Sequence, residues 1–168
     1  MMKYLAAVIF LLLIGCGYHF PGKGGSLPGK VKTVYIPLFV NKTKEPQLES
    51  LVSNEISVVF GRNSNISQVE SLDQAEAVLE GVVSSYASKP IAYDTSDDIS
   101  EYRATMTIDA VLRQVSDGRL LWQGNVSWKE EYLADDDKAI QEDFEREAID
   151  EISLRISEEL LSRMLDDF

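Results

Sequence analysis

Residues 103–115 read RATMTIDAVLRQV, and their alternation decides the fold. Ala104, Met106, Ile108, Ala110 and Leu112 fall on one face, while Thr105, Thr107, Asp109 and Arg113 fall on the other. A period of two marks a strand with one buried face. Ser116-Asp117-Gly118-Arg119 follows as a hairpin turn, with Asp-Gly supplying the positive φ of a tight primed turn. Leu120–Tyr132 then alternates again, placing Leu120, Trp122, Gly124, Val126, Trp128 and Tyr132 toward the core. Two adjacent half-buried strands need another layer packed over them.

That layer is legible on both sides of the hairpin. Downstream, Asp135-Asp136-Asp137 opens a helix, where negative charge meets the positive end of the dipole. Its stripe is Ile140, Phe144, Ala148, Ile152, Ile156, Leu160 and Met164. The segment from Lys138 to Phe168 has ten acids and four bases, so an anionic lipid surface repels it and its stripe reads as core. Upstream, Ala75–Ala87 reads as a strand with Ala77, Leu79, Gly81 and Val83 on the core face and Val78, Val82 and Tyr86 on the other. Tyr93–Glu101 reads as an acidic loop.

Further upstream, Val31–Val40 alternates with Val34, Ile36, Leu38 and Val40 on one face. Pro37 cannot donate to a ladder, which predicts an edge or a bulge there. Pro46 suits the first turn of a helix whose apolar positions are Leu48, Leu51, Val52, Ile56, Val59 and Phe60, with Gly61 as its stop. Ser64–Glu70 is a short extension. The prediction is an α+β two-layer sandwich: a four-stranded, mostly antiparallel sheet with two helices on one face, in the order β-α-β-β-β-α.

Composition narrows the chemistry. The chain has 168 residues and a formal charge of −12, which argues against nucleic acid as a partner. One Cys and one His exclude an internal disulfide framework and a Cys/His zinc site. Neither a phosphate-binding nor a dinucleotide-binding glycine motif is present. Asp94/Asp97/Asp98 and Asp135/Asp136/Asp137 match no EF-hand spacing and read as a solvated loop and a helix start. No catalytic, cofactor-binding or metal residue is assigned, and the chain is not expected to be an enzyme.

The N-terminus reads as an address. Residues 1–15, MMKYLAAVIFLLLIG, have Lys3 ahead of an apolar run of eleven, which is too short to span a bilayer and suits a signal peptide. Leu13-Ile14-Gly15-Cys16 resembles the bacterial lipobox. The resemblance implies cleavage after Gly15, diacylglyceryl attachment at Cys16 and acylation of the new amino group. Gly17, rather than Asp, favours the outer membrane and its periplasmic leaflet. Residues 21–30, PGKGGSLPGK, read as a tether. The expected organisation is a signal peptide over 1–15, a lipidated N-terminus and flexible tether over 16–30, and one α+β domain over 31–168. Charge is uneven: 16–44 carries Lys23, Lys30, Lys32, Lys42 and Lys44 and no acid, while all the acids lie beyond.

Together these residues resemble the LPS-assembly lipoprotein family, LptE. The matching features are Cys16-Gly17-Tyr18-His19-Phe20, then Ile36-Pro37 with Phe39, Asn41 and Thr43, then Glu101-Tyr102 ahead of Met106-Thr107, together with the element order. The resemblance implies a non-enzymatic, lipid-anchored plug of the LPS-translocating β-barrel LptD. Such a plug supports barrel folding and LPS delivery to the outer leaflet, with LPS itself a further partner. Lipid A phosphates call for Lys or Arg. The loop DTSDDIS before Glu101 has none, which leaves Lys42, Lys44, Arg62, Lys89, Arg103, Arg113, Arg119 and Lys129. Arg113, Arg119 and Lys129 lie near one hairpin and are the expected LPS or barrel contacts. Val34–Asn41 also resembles lipoproteins that activate peptidoglycan synthases or build curli export pores, so service to another envelope-assembly complex is the alternative.

Overall fold

The computed structural model describes residues 26–166. Six strands form one sheet: β1 (Thr33–Tyr35), β2 (Val40–Asn41), β3 (Ser67–Val69), β4 (Ala77–Tyr93), β5 (Ile99–Gln114) and β6 (Leu120–Leu133). The helices are α1 (Leu48–Gly61) and α2 (Lys138–Asp166). The sheet runs β3-β1-β4-β5-β6, with β2 also on β4. The β4–β5 and β5–β6 pairs are antiparallel, while β1, β2 and β3 pair in parallel. The α+β class and the helical layer agree with the sequence and the element order does so roughly, with six strands in place of the four expected. The sheet is mixed because the Ser64–Glu70 extension becomes β3 beside β1 and the first predicted strand divides into β1 and β2.

The division is caused by Pro37. Val34 is fully buried as predicted, but Leu38 and Val40 are 63% and 55% exposed, and Phe39 is buried in their place. The chain leaves the ladder after Tyr35, just ahead of Pro37, and the face that is buried switches by the time pairing resumes at Val40. Phe39 lies across Gly81 of β4, and its backbone N–H donates to Ser53 Oγ at 2.9 Å. Asn41 organises the next turn: its Oδ1 accepts from Thr43 N, while its Nδ2 donates to Glu45 O and Glu49 Oε2. The helix begins after Pro46 rather than with it, since Gln47 at the N-cap has φ 67°.

The long strands carry two irregularities with consequences. In β4, Val83 faces Ile108 but Ser85 faces Thr107, so Ser84 is an extra residue. A bulge of one residue exchanges the faces beyond it. Tyr86 therefore packs against the core instead of joining Val78 and Val82 on the opposite face. In β6, Trp122 faces Leu112 but Leu120 faces Arg113, so Leu121 is extra and Leu120 turns to the outer side, exposed. Pro90 sits opposite Tyr102. The neighbouring even position Ser100 directs its carbonyl to Ala134, so even positions of β5 bond toward β6 and Pro90 has no ladder bond to lose. β4 consequently continues to Tyr93, and the acidic loop is only its tip. Gly118 alone takes positive φ in the β5–β6 turn, with Gly118 N–H donating to Gln114 O. The loop is thus wider than the primed turn expected from Asp117-Gly118.

One apolar cluster joins sheet and helices. Val52, Ile56 and Phe60 of α1 and Ile152, Ile156, Leu160 and Met164 of α2 meet Leu79, Val83, Met106, Ile108 and Leu112. Ile140 precedes the part of α2 that is covered and stays exposed, and Trp128 is 39% exposed on β6, an edge among the described residues. Asp137 caps α2 through Ala139 N at 2.9 Å. The acids on the outer side of α2 are offset by pairs such as Arg155–Glu151 and Arg163–Glu159, both at 2.7 Å. Packing begins before Val31: Leu27 is 1% exposed, Pro28 is buried, and Gly29 abuts Leu121. The last residues of the expected tether are thereby seated on the fold. Cys16, the signal peptide, and His19 with its neighbours lie outside the described residues.

Candidate functional site

The face of the sheet away from the helices is a row of polar cross-strand pairs. Arg103 Nη2 meets Glu131 Oε1 at 2.6 Å, Thr107 Oγ1 meets Ser127 Oγ at 3.0 Å, and Asn125 Nδ2 donates to Asp109 Oδ1 at 2.7 Å. Register puts each pair directly opposite. Hydrogen bonds from Asn125 and then Ser84 hold the Asp109 carboxyl below its ordinary value. Half-buried Val82 stands opposite Asp109, and half-buried Val111 and Val78 follow toward the hairpin end. The result is a mainly hydrophilic surface whose side chains are paired across strands.

The three predicted contact residues lie along this surface but do not gather. Arg113 faces Glu80 at 3.8 Å. Arg119 sits in the turn, donating to Gln114 Oε1 at 2.7 Å. Lys129 lies opposite Thr105, ten positions beyond Arg119. At the rise of a strand that separates them by roughly 30 Å. The hairpin thus keeps Arg113 and Arg119 together at one end and Lys129 toward the other.

The acidic stretches turn the chain. Asp94 Oδ1 accepts from Ser96 N and Asp98 N at the β4–β5 tip, and Asp135 Oδ1 accepts from Asp137 N before α2. Among the described residues, no group of three or more His, Cys, Asp or Glu is placed to hold a metal ion.

A cleft of about 470 Å³ separates the 42–45 loop, the bulged part of β4 and α2. Tyr86 OH donates to Glu145 Oε1 at 2.6 Å across it. Nearby, Tyr132 shares a 2.7 Å hydrogen bond with Ser88 and stacks on Tyr102 with ring centroids 5.6 Å apart. Burial, and then the charge of Glu145, raise the Glu45 carboxyl above its ordinary value. Burial, and then the bond to Glu145, raise the Tyr86 hydroxyl, which stays protonated and donates. Sequence reasoning missed this link because the Ser84 bulge, not the pattern, brings Tyr86 to α2.

A raised carboxyl binds its proton more tightly in the folded than in the unfolded chain. Stability therefore falls as pH rises from the unfolded value through the folded one. Glu45→Gln is expected to melt higher than the parent chain at pH 7.5 and to lose that advantage near pH 4. Thermal melts at the two pH values check this, and a lower melting point for the variant at pH 7.5 contradicts it.

A family model described as LptE, lipopolysaccharide-assembly, matches residues 31–164. No curated protein matches the chain. The fold is similar to a protein from Xanthomonas campestris at 13% identity and TM-score 0.62, covering 86% of this chain and 89% of that one. It is similar to an uncharacterized lipoprotein B from Nitrosomonas europaea at 15% identity and TM-score 0.60, covering 89% and 90%. The rare lipoprotein B from Shewanella oneidensis shares 13% identity at TM-score 0.53, covering 79% and 93%. At these identities the likeness concerns the fold alone.

Proposed function

The chain belongs to the LptE lipopolysaccharide-assembly family, and from that premise we propose that it is a lipid-anchored plug of the LptD β-barrel, held on the periplasmic side of the outer membrane. Membership gives it a role in LPS assembly and places it in a non-catalytic family. In this reading residues 1–15 are the signal peptide, Cys16 carries the lipid, and 31–168 form the body that enters the barrel.

The observation that supports a plug most directly is the open sheet face. A barrel lumen is wet and polar. Side chains already paired with one another, as Arg103–Glu131 and Asn125–Asp109 are, need little reordering to face it. Pairing of this kind limits the entropy lost on docking. Arg113 and Arg119 at the hairpin end, and Lys129 further along, are among the cations this face offers to barrel carboxylates or to LPS.

Depletion of the lipoprotein is expected to reduce correctly assembled barrel and surface LPS together. Co-purification from detergent-extracted outer membranes is expected to recover the barrel in stoichiometric amount. Normal barrel and LPS levels after depletion overturn the reading. Recovery of a periplasmic synthase domain without a barrel favours the alternative of another envelope-assembly complex.

A further inference from the structure

Among the described residues β6 is an edge of the sheet. Its parity is fixed by Ala134 N–H donating to Ser100 O at 2.9 Å, which puts even positions in the bonded pairs with β5. Odd positions therefore turn their N–H and C=O groups outward. Arg163 Nη1 of α2 takes one of them, Asn125 O, at 2.9 Å. Ser127, Lys129 and Glu131 continue the open row.

Beside that row runs a groove of about 340 Å³ between β6 and α2. Tyr132, Phe144 and Ala148 form its apolar part, and Glu130, Glu147 and Glu151 line it with charge. Glu151 is paired with Arg155, whereas Glu130 and Glu147 have no ion-pair partner among the described residues. Charged side chains on an edge ordinarily discourage strand addition. Here the groove side bears a single sign, which discriminates between partners instead of excluding them all.

We propose that the β6 edge is a strand-addition site for a basic extended segment of another polypeptide. The incoming backbone continues the sheet on Ser127, Lys129 and Glu131. Every second side chain then points into the groove, where lysine or arginine meets Glu130, Glu147 and Glu151 and the apolar stems lie on Phe144 and Ala148. A second copy of this chain does not suit the site. Two-fold pairing of β6 on β6 brings the same glutamates of both copies together. The inference is independent of the barrel reading, because it rests on the edge and the groove.

The test uses the full-length lipoprotein in detergent, with a dye-labelled short peptide alternating lysine and valine and its glutamate–valine counterpart. The lysine peptide is expected to bind and the glutamate peptide to fail. Glu147→Gln combined with Glu151→Gln is expected to weaken binding about tenfold. Lys129→Pro removes an outward N–H without touching the ladder to β5, a substitution that edges tolerate. It also removes a charge that repels the peptide, so weaker binding to this variant is the stronger result. Peptide-bound protein is expected to show slowed amide exchange at Ser127, Lys129 and Glu131. Equal binding of both peptides, undiminished binding to both variants, or protection that misses these amides overturns the proposal. Should Lys129→Pro fail to fold, the glutamine variant and the exchange pattern decide alone.

Discussion

Gly81→Val is expected to destabilise the fold by roughly 3–5 kcal/mol, the range of a lost or displaced core aromatic. The ring of Phe39 occupies the space that any β-carbon at Gly81 would need. Phe39 is buried and its backbone N–H is held by Ser53, so displacing its ring disturbs packed neighbours. The clash is with a ring in a packed interior, between β4 and the segment leading into α1. A melting point lower by about 10 °C or more follows from the usual entropy of unfolding for a domain of this size, and failure to accumulate folded protein is the extreme of the same outcome. Phe39→Ala alone opens a cavity and costs a similar amount. The double variant is expected to cost much less than the sum, because the valine fills the space that the ring vacates. Thermal melts of the three variants supply the cycle. Full additivity, or a Gly81→Val chain that melts with the parent, would separate Gly81 from Phe39. Gly118→Ala is the contrasting case: nothing lies near its β-carbon, and the cost of about 1 kcal/mol is the strain of φ +70° alone.

The same pair shows where sequence reasoning reached and where it stopped. Ala104 to Leu112 and Trp122 to Val126 were readable because every second residue is apolar and nothing interrupts the period. Gly81 was placed on the core face for the same reason. Phe39 was not, since Pro37 breaks the ladder and the alternation of Val34, Ile36, Leu38 and Val40 carries through a point where the backbone does not. Ser84 and Leu121 are ordinary strand residues by composition, yet as bulges each exchanges faces and displaces Tyr86 or Leu120 from its expected side. For the surface, closeness in sequence misled. Arg119 and Lys129 share a strand region, but an extended backbone carries them apart faster than a helix would. The acidic groove joins β6 to α2 residues a dozen or more positions later, so it exists only once α2 lies against that edge.

Cys16→Ala is expected to remove the chain from the outer-membrane fraction and to abolish its stoichiometric recovery with the barrel. The cysteine sulfur is the proposed point of diacylglyceryl attachment, and each buried CH₂ of an acyl chain contributes about 0.8 kcal/mol, so two or three chains anchor the protein for practical purposes permanently. Among the described residues no helix is long and apolar enough to cross a membrane, and the segment from Lys138 onward is strongly acidic. Tethering also multiplies apparent affinity for a membrane partner, by about 10²–10⁴ where geometry allows. Intact mass checks the chemistry: the parent chain should exceed the polypeptide from Cys16 onward by its acyl groups, and the variant should carry none. A secreted form starting after the cysteine separates anchoring from signal cleavage. It should be found free in the periplasm and recover the barrel weakly. A parent chain with a bare Cys16 would remove the anchor and the proposed position beneath the outer bilayer. Family membership would survive that result, because the match begins at residue 31 and owes nothing to the cysteine.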